Sequence, residues 1–185
     1  MMMLGWIVLL VSWCVWLYPF IFVAPHNQKR PSITAIGPTR AGLFLESFAI
    51  FIAFVWRLPP EPSPEVWRIA GAAACGLFAT ILAWTAVRHL GRQFRVHAGL
   101  YEDHELVTSG PYAIVRHPIY TSLLAMLVCS LLILAPWQCA AIALALFIAG
   151  TEIRVYTEDR LLASRFGARF FEYRKRVRAY VPFVR

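Results

Sequence analysis

Charged residues are scarce in this chain of 185 residues. Only 15% of the residues are Asp, Glu, Lys or Arg, whereas 59% are apolar. Soluble domains are roughly a quarter charged and half apolar, so this composition excludes an ordinary soluble globular protein. The formal net charge of +8 does not require a nucleic-acid partner, because basic residues at the ends of membrane helices and attraction to anionic lipid account for it.

The sequence also lacks the patterns of a metal site or a disulfide framework. Its four cysteines lie in apolar stretches, without a CxxC pair and without a neighbouring histidine: Cys14, Cys75, Cys129 and Cys139. We therefore predict no metal site and expect these thiols to be packing residues. No internal repeat or low-complexity segment divides the chain, which predicts one membrane domain over residues 1–185.

Four apolar stretches are long enough to cross a membrane, which requires about 20 residues. They cover residues 4–23, 41–56, 67–87 and 120–155. The last is nearly twice the required length, and Ala135-Pro136-Trp137 divides it into a helical hairpin. The first has no basic segment before it and no small-residue cleavage site, so we interpret it as a span and not a signal peptide. The predicted fold is all-α integral membrane, with about five transmembrane helices.

The distribution of Lys and Arg predicts the orientation of these spans. Of eighteen basic residues, all but Arg57 and Arg68 follow span one, span three or span five. Because basic residues concentrate in cytosolic segments, we predict an external N-terminus and a cytosolic C-terminal tail. The predicted location is a bacterial inner membrane or the endoplasmic reticulum, with the functional site facing the cytosol.

The two halves of the chain differ in chemistry. Residues 1–87 contain three spans with short connectors, whereas residues 88–185 add polar segments to the hairpin. In the tail, apolar residues recur at helical spacing, which predicts an amphipathic helix that either lies along the membrane surface or folds over a site. Those residues are Leu162, Phe166, Phe170, Tyr173 and Val177. Gly167 is expected to interrupt that helix.

Glu46 stands inside the second span. An ionisable residue in a span is expensive and is a candidate functional residue. The alternative is that Glu46 lies near the cytosolic interface and pairs with Arg40 or another basic group.

The segment "LVTSGPYAIVRHPIY", residues 106–120, is unusually polar for its position. Ser109-Gly110-Pro111 is typical of a turn, in which Gly110 admits a positive φ or a close backbone approach. Pro118 suits the first turn of the following helix. Arg116 and His117 would then lie at the positive end of that helix dipole, where an anionic group binds favourably.

A second polar cluster lies at the end of span five. Arg154 and Glu158 are four residues apart and share a helix face, and Asp159 and Arg160 follow them. Since a hairpin brings its two ends together, we expect this cluster to lie near the Arg-His pair that precedes span four. It either forms a binding site or is an ion-pair network that anchors the helix ends.

The order of these motifs resembles the isoprenylcysteine carboxyl methyltransferase family. "HELVTSGPY" and "RHPIY" are followed by a hairpin, then by "RVYTEDRLLASRFG" and "FEYRKRV". The resemblance covers roughly the last hundred residues. It implies an integral membrane enzyme that uses S-adenosylmethionine as its cofactor. Taken singly, His89, His97 and His104 are more typical of surface or interfacial positions.

The resemblance, with the polar residues above, implies two sets of site residues. The cofactor-binding set is His97, His104, Glu105, Leu106, Val107, Gly110, Tyr112, Arg116, His117, Pro118, Ile119, Tyr120, Glu158 and Asp159. Arg154 is expected to bind the substrate and, with Glu158, to be catalytic. Family members often have Gln at the position of His97, and Glu-Glu where this chain has Glu158-Asp159.

The predicted function is methyl transfer to a lipophilic acceptor that enters from the bilayer, with the α-carboxylate of a prenylated cysteine as the favoured acceptor. A phospholipid amine or a small thiol is the alternative acceptor for the same cofactor. Two other classes remain open: an NADPH-dependent membrane reductase of the sterol type, and a membrane scaffold without enzymatic activity.

Overall fold

The computed structural model of the protein describes residues 1–24, 33–34, 36–56, 64–94, 99–100 and 104–180. This part of the chain is built mainly from six α-helices. They are α1 (Met2–Tyr18), α2 (Ile36–Val55), α3 (Val66–Leu90), α4 (Pro118–Leu134), α5 (Trp137–Phe166) and α6 (Ala168–Arg176).

Short elements connect these helices. A π-helical segment, Pro19–Val23, extends α1, and 3₁₀ turns cover Gly91–Gln93 and Gly110–Ala113. The two-residue strands β1 (Ile33–Thr34) and β2 (Gly99–Leu100) pair antiparallel. These strands are the only departure from the predicted all-α fold among the described residues.

Five of the helices are apolar, as predicted for an integral membrane protein. Within the described ranges, four helical segments are long and apolar enough to cross a membrane: Met2–Val23, Gly37–Val55, Val66–Gln93 and Trp137–Phe166. The fifth, α4, has 17 residues, or about 26 Å at ~1.5 Å per residue, which is the short end of the range for a span.

The predicted hairpin is present at residues 134–137. Helix α4 ends at Leu134, and α5 begins at Trp137 after Pro136. Arg68 of α3 donates hydrogen bonds from its guanidinium to the carbonyl oxygens of Leu131, Leu132 and Ala135, at 3.2, 2.6 and 2.8 Å. The last carbonyls of a helix have no partner within the helix, so this basic side chain satisfies the C-terminus of α4.

Helix α5 extends beyond the predicted apolar span. The apolar stretch ends at Val155, but the helix continues unbroken to Phe166. Arg154 and Glu158 therefore lie on one helix, as their spacing predicted, and Asp159 follows on the same helical turn. Gly167, at φ +52°, ends α5 and starts α6, which confirms the predicted interruption.

Close helix packing depends on small residues. Helix α2 packs along α5, and α3 packs along α4. A Cβ on Gly42 would lie 2.7 Å from the carbonyl oxygen of Gly150, and a Cβ on Gly150 would lie 2.6 Å from that of Gly42. Glycines at such contacts let two helix backbones approach closely. Helix α5 thus packs mainly against α2, and α4 mainly against α3. The two hairpin helices have less contact with each other.

Helix α1 is joined to α4 by two indole hydrogen bonds. Trp13 donates to Ser130 at 3.1 Å, and Trp16 donates to Ser122 at 3.2 Å. Both serine side chains lie on α4, so the first helix of the chain is fixed against the helix that begins at the polar segment.

The cysteines occupy varied environments and all four are free thiols. Cys129 and Cys139 are buried, Cys75 is partly buried and Cys14 is exposed. Two of the four therefore pack in the protein interior as expected, whereas Cys14 faces outward from α1.

Candidate active site

The start of α4 and the end of α5 meet through a buried network of charged and aromatic groups. His117 lies between two carboxylates: its Nε2 is 3.1 Å from Asp159 and its Nδ1 is 3.2 Å from Glu158. Arg116 donates to Asp159 at 2.8 Å, and the Tyr120 hydroxyl donates to Glu158. The predicted approach of the two polar clusters is therefore observed.

The turn before α4 has the backbone geometry that its sequence predicts. Gly110 has φ +60° and starts the 3₁₀ turn, and Pro118 is the first residue of α4. A Cβ on Gly110 would collide with the imidazole ring of His89. The absence of a Cβ at Gly110 therefore leaves space for the His89 ring, and not for a ligand.

The C-terminal segment holds this turn in place through the backbone. The amide of Arg116 donates to the carbonyl of Arg178 at 2.7 Å, and the amide of His117 donates to that of Ala179 at 2.8 Å. The Tyr173 hydroxyl of α6 donates to the carbonyl of Tyr112 at 2.6 Å. The amphipathic helix therefore folds over the site, which is one of its two predicted roles.

Arg154 forms a second buried network one turn before Glu158. Its Nη1 is 2.6 Å from Glu46 of α2, and the other carboxylate oxygen of Glu46 accepts a hydrogen bond from Thr151 at 3.0 Å. The guanidinium carbon of Arg154 lies 4.5 Å from the centre of the Tyr120 ring. Glu46 thus pairs with a basic group, as one alternative predicted, but this group is Arg154 and not Arg40.

A cavity of about 260 Å³ lies beside both networks. Its walls come from α1, the 3₁₀ turn at Gly91–Gln93, the polar segment before α4, and helices α4, α5 and α6. This volume lies just below the range of about 300–1,000 Å³ that is typical of ligand pockets. Most of the lining is apolar, with charged groups at one side.

Most of the predicted site residues line this cavity. The predicted cofactor residues that do so are His104, Glu105, Leu106, Val107, Tyr112, Arg116, His117, Pro118, Ile119, Tyr120 and Glu158. Arg154, the predicted catalytic and substrate-binding residue, lines it as well.

Two of the described predicted residues, Gly110 and Asp159, do not line this cavity. Asp159 lies behind His117 and lines a second cavity. Gly110 packs against His89. His97 lies outside the described residues.

Several lining residues were not predicted from the sequence. They are Trp16, Phe20, Leu90, Gln93, Phe94, Gly99, Leu123, Leu161, Leu162 and Tyr173. Leu162 and Tyr173 were identified only as part of the helical pattern of the tail. Trp16 and Phe20 come from the first apolar helix, in which no local motif distinguishes a lining residue from a lipid-facing one.

The environment of His117 favours its protonated form. Burial opposes the positive charge, but the hydrogen bonds to Asp159 and Glu158 and the charges of these carboxylates outweigh it and raise the pKa of His117 above its ordinary value. A neutral imidazole has one N–H, whereas both ring nitrogens here face a carboxylate, so only imidazolium satisfies both contacts. Burial raises the pKa of the Tyr112 and Tyr173 hydroxyls, which keeps both neutral.

The sequence of the chain is similar to those of several known proteins. Over 111 residues the chain is 35% identical to protein-S-isoprenylcysteine O-methyltransferase B of Arabidopsis thaliana, covering 58% of this chain and 56% of that protein. A probable protein-S-isoprenylcysteine O-methyltransferase of Oryza sativa subsp. indica is 26% identical over 166 residues, 86% of this chain and 85% of that protein.

A third relative has a different name. The cobalt-zinc-cadmium resistance protein CzcN of Cupriavidus metallidurans is 39% identical over 82 residues, 44% of this chain and 37% of that protein.

The model of the isoprenylcysteine carboxyl methyltransferase family matches residues 72–164, which is half of the chain. That segment contains the polar segment before α4, α4 itself and all but the last two residues of α5. The chain therefore belongs to the isoprenylcysteine carboxyl methyltransferase family.

Proposed function

We propose that this integral membrane protein transfers a methyl group from S-adenosylmethionine to the carboxylate of a lipophilic acceptor, in the first place the α-carboxylate of a prenylated cysteine. The observation that carries this proposal is the buried guanidinium of Arg154, which lines the cavity one helical turn before the carboxylate of Glu158. Family membership and the names of its relatives favour a methyltransferase over a reductase or a scaffold.

The residues of the cavity fit S-adenosylmethionine, which carries an ammonium, a carboxylate, ribose hydroxyls and an adenine ring. The Glu158 side chain is 26% exposed, and a carboxylate has about four lone-pair positions, so it has acceptor capacity beyond its bonds to His117 and Tyr120. Gln93 lines the cavity, and its buried Oε1 accepts no hydrogen bond from the described residues. When bound, the cofactor supplies an electrophilic methyl group.

Arg154 is the residue we assign to the acceptor carboxylate. A guanidinium presents its N–H groups in a planar fork that matches a carboxylate. Glu46 and the ring of Tyr120 fix the direction of that fork, so its orientation does not have to be organised when the acceptor binds. Holding a nucleophile in line is a large part of catalysis for a reaction of this kind.

A carboxylate acceptor would need no general base. A carboxylate is already ionised at neutral pH, so its oxygen attacks without losing a proton. A thiol or ammonium acceptor has a proton to lose first. A carboxylate acceptor therefore does not require an ionisable group of the described lining, such as Glu105, Glu158 or His104, to act as a general base.

The apolar side of the cavity suits a lipid-anchored acceptor. Trp16 and Phe20 of the first span and Ile119 and Leu123 of α4 line it. We propose that the prenyl chain enters between spans at this side, while its carboxylate reaches Arg154. We also propose, from the bias of basic residues, that the cavity faces the cytosol, in a bacterial inner membrane or the endoplasmic reticulum.

The alternative acceptor is a phospholipid amine or a small thiol. The names of the methyltransferase relatives favour the prenylcysteine over this alternative. Arg154 argues against it, since a cationic side chain repels an ammonium and gives a neutral thiol no advantage.

The experiment is a methyl-transfer assay on the purified protein in detergent with radiolabelled S-adenosylmethionine. The acceptors are N-acetyl-S-prenylcysteine, its carboxamide, a prenyl thiol and a phospholipid amine. We expect transfer to the free acid and none to the carboxamide, which keeps the lipid and lacks the carboxylate. Transfer to the thiol or the amine without transfer to the acid would overturn the assignment of the acceptor. Stabilisation by NADPH but not by S-adenosylmethionine would overturn the reaction itself.

A further inference from the structure

A second cavity of about 390 Å³ lies on the other side of Asp159, between the end of α5 and α6. The described residues that line it include four arginines: Arg116, Arg160, Arg174 and Arg178. Asp159 is the one carboxylate among these described residues. The cavity is therefore strongly positive, in contrast to the mixed charges of the first cavity.

The carboxylate of Asp159 does not neutralise this cavity. One oxygen is 2.8 Å from Arg116 and 4.0 Å from Arg174, and the other is 3.1 Å from His117. No described carboxylate forms an ion pair with Arg160 or Arg178. Two exposed guanidinium groups thus face the cavity without an acidic partner in the described part of the chain.

The length of α5 places this cavity at the level of lipid headgroups. From Trp137 to Tyr156 the helix rises about 28 Å at ~1.5 Å per residue, close to the ~30 Å of a bilayer's hydrocarbon core. Both aromatic side chains are largely exposed, at 77% and 64%. Exposed Trp and Tyr concentrate at the two membrane interfaces, so Tyr156, which lines the cavity, marks the interface on this side.

We propose that this cavity binds the phosphate of an anionic phospholipid headgroup. Arginine forks bind phosphate oxygens in pairs, and the exposed guanidinium groups of Arg160, Arg174 and Arg178 supply enough such donors for one phosphate. The exposed rings of Tyr156 and Phe171 line the same cavity, which offers apolar contacts to the glycerol and upper acyl chain. A zwitterionic choline headgroup binds less well, because its cation is repelled by the same arginines.

The variants that test this site are Arg160→Gln and Arg178→Gln combined. Both side chains are exposed, and Arg178 contributes to the fold through its backbone carbonyl, which the exchange leaves intact. The matched control is Arg40→Gln combined with Arg169→Gln, which removes the same charge from two exposed arginines outside the lining of this cavity.

The measurement is the affinity of the delipidated full-length protein for short-chain phosphatidylglycerol, read as a melting shift in a neutral detergent. No acceptor or methyl donor is present, so the result is independent of the proposed methyl transfer. We expect wild type and control to bind alike, and Arg160→Gln/Arg178→Gln to bind weaker by on the order of tenfold or more, as expected for two lost charge-assisted contacts. Phosphatidylcholine should bind more weakly to all of them.

Two results would overturn the proposal. If Arg160→Gln/Arg178→Gln bound phosphatidylglycerol as tightly as the control, the cavity would not be the site. If inorganic phosphate or glycerol 1-phosphate produced the same shift at the same concentration, the ligand would be a free phosphate and not a lipid. Size-exclusion chromatography of each variant before the titration establishes that the compared proteins are folded.

Discussion

The pairing of Glu46 with Arg154 is the residue-scale feature with the clearest consequence for activity. Glu46 is 1% exposed, and its nearest charge is the guanidinium that we assign to the acceptor. Removing one member of a buried ion pair leaves the other charge uncompensated, which typically costs about 3–5 kcal/mol. Tests of this pair therefore work best with substitutions that keep a hydrogen-bonding side chain of similar size at each position.

We predict that Arg154→Lys and Glu46→Gln both reduce turnover more than cofactor binding. Arg154→Lys keeps the charge but loses the planar fork, and Glu46→Gln keeps the shape but loses the counter-charge that directs the fork. Each should lower kcat by about tenfold or more while Kd for S-adenosylmethionine changes within a few-fold. Isothermal titration and saturating turnover on the same preparations provide the two numbers.

The double variant Glu46→Gln/Arg154→Lys separates positioning from stability. If Glu46 acts through Arg154, the second substitution adds little to the loss of turnover, because residues in one network are not additive. Multiplicative losses in turnover, or a Kd that rises as steeply as kcat falls, would contradict the positioning role and indicate a structural ion pair only.

The pKa of His117 predicts a specific dependence of stability on pH. Because the folded pKa lies above the unfolded value of about 6.5, the folded state binds this proton more tightly. The stabilisation is fully present below about pH 6.5 and is lost as the pH rises through the folded pKa. The difference in melting temperature between wild type and His117→Gln should therefore be larger at pH 6 than at pH 9. A difference that stayed constant or grew with pH would mean that His117 is neutral in the fold.

At the scale of elements, local signals in the sequence predicted where helices begin and end. Pro118 starts α4, Pro136 divides the hairpin, and Gly167 ends α5, because each acts through the backbone of its own neighbours. The contact between Glu46 and Arg154 could not be predicted in this way. The two residues lie 108 positions apart, and their pairing depends on α2 packing along α5, which no local pattern encodes.

The candidate site shows the same limit. Residues 104–107 and 116–120 were predicted mainly because their motifs resemble those of the isoprenylcysteine carboxyl methyltransferase family, whereas Trp16 reaches the cavity only through the packing of α1 on α4. An apolar span offers many equivalent aromatic residues, and the sequence alone does not distinguish those that face a cavity from those that face lipid.

The glycine contact between α2 and α5 makes a prediction at this scale. A Cβ on Gly42 would meet both the carbonyl oxygen of Gly150 and the side chain of Arg154, so Gly42→Ala forces the helices apart. We expect a destabilisation of about 1–3 kcal/mol, as for other overpacked contacts, together with reduced turnover. Thermal unfolding in detergent measures the first effect, and the methyl-transfer assay measures the second.

Gly37→Ala is the control on the same helix. A Cβ at Gly37 meets no atom within 4 Å, and alanine favours a helix over glycine, so this variant should be as stable as wild type or slightly more so. Equal melting temperatures for Gly42→Ala and Gly37→Ala would mean that the close approach of α2 and α5 does not limit stability.

At the scale of the whole molecule, the cavity draws on both halves of the chain. Trp16 and Phe20 come from the first span, whereas Arg154, Glu158 and Tyr173 come from the last helices. The N-terminal spans also supply Glu46, the ion-pair partner of Arg154. The division into an N-terminal part and a catalytic part remains a prediction.

The orientation of the molecule in the membrane gives the last prediction. Sixteen of the eighteen basic residues fall on one side when the N-terminus is outside, and such a bias places that side in the cytosol. Gln138, at the hairpin tip, and Ser164, near the end of α5, are both exposed and lie at opposite ends of α5. In intact cells or sealed vesicles of known orientation, a membrane-impermeant thiol reagent should label Gln138→Cys from outside and leave Ser164→Cys unlabelled until the membrane is opened. The unsubstituted protein supplies the background from its own four cysteines. Labelling of Ser164→Cys from outside, with protection of Gln138→Cys, would invert the topology and put the Arg154 site on the opposite face.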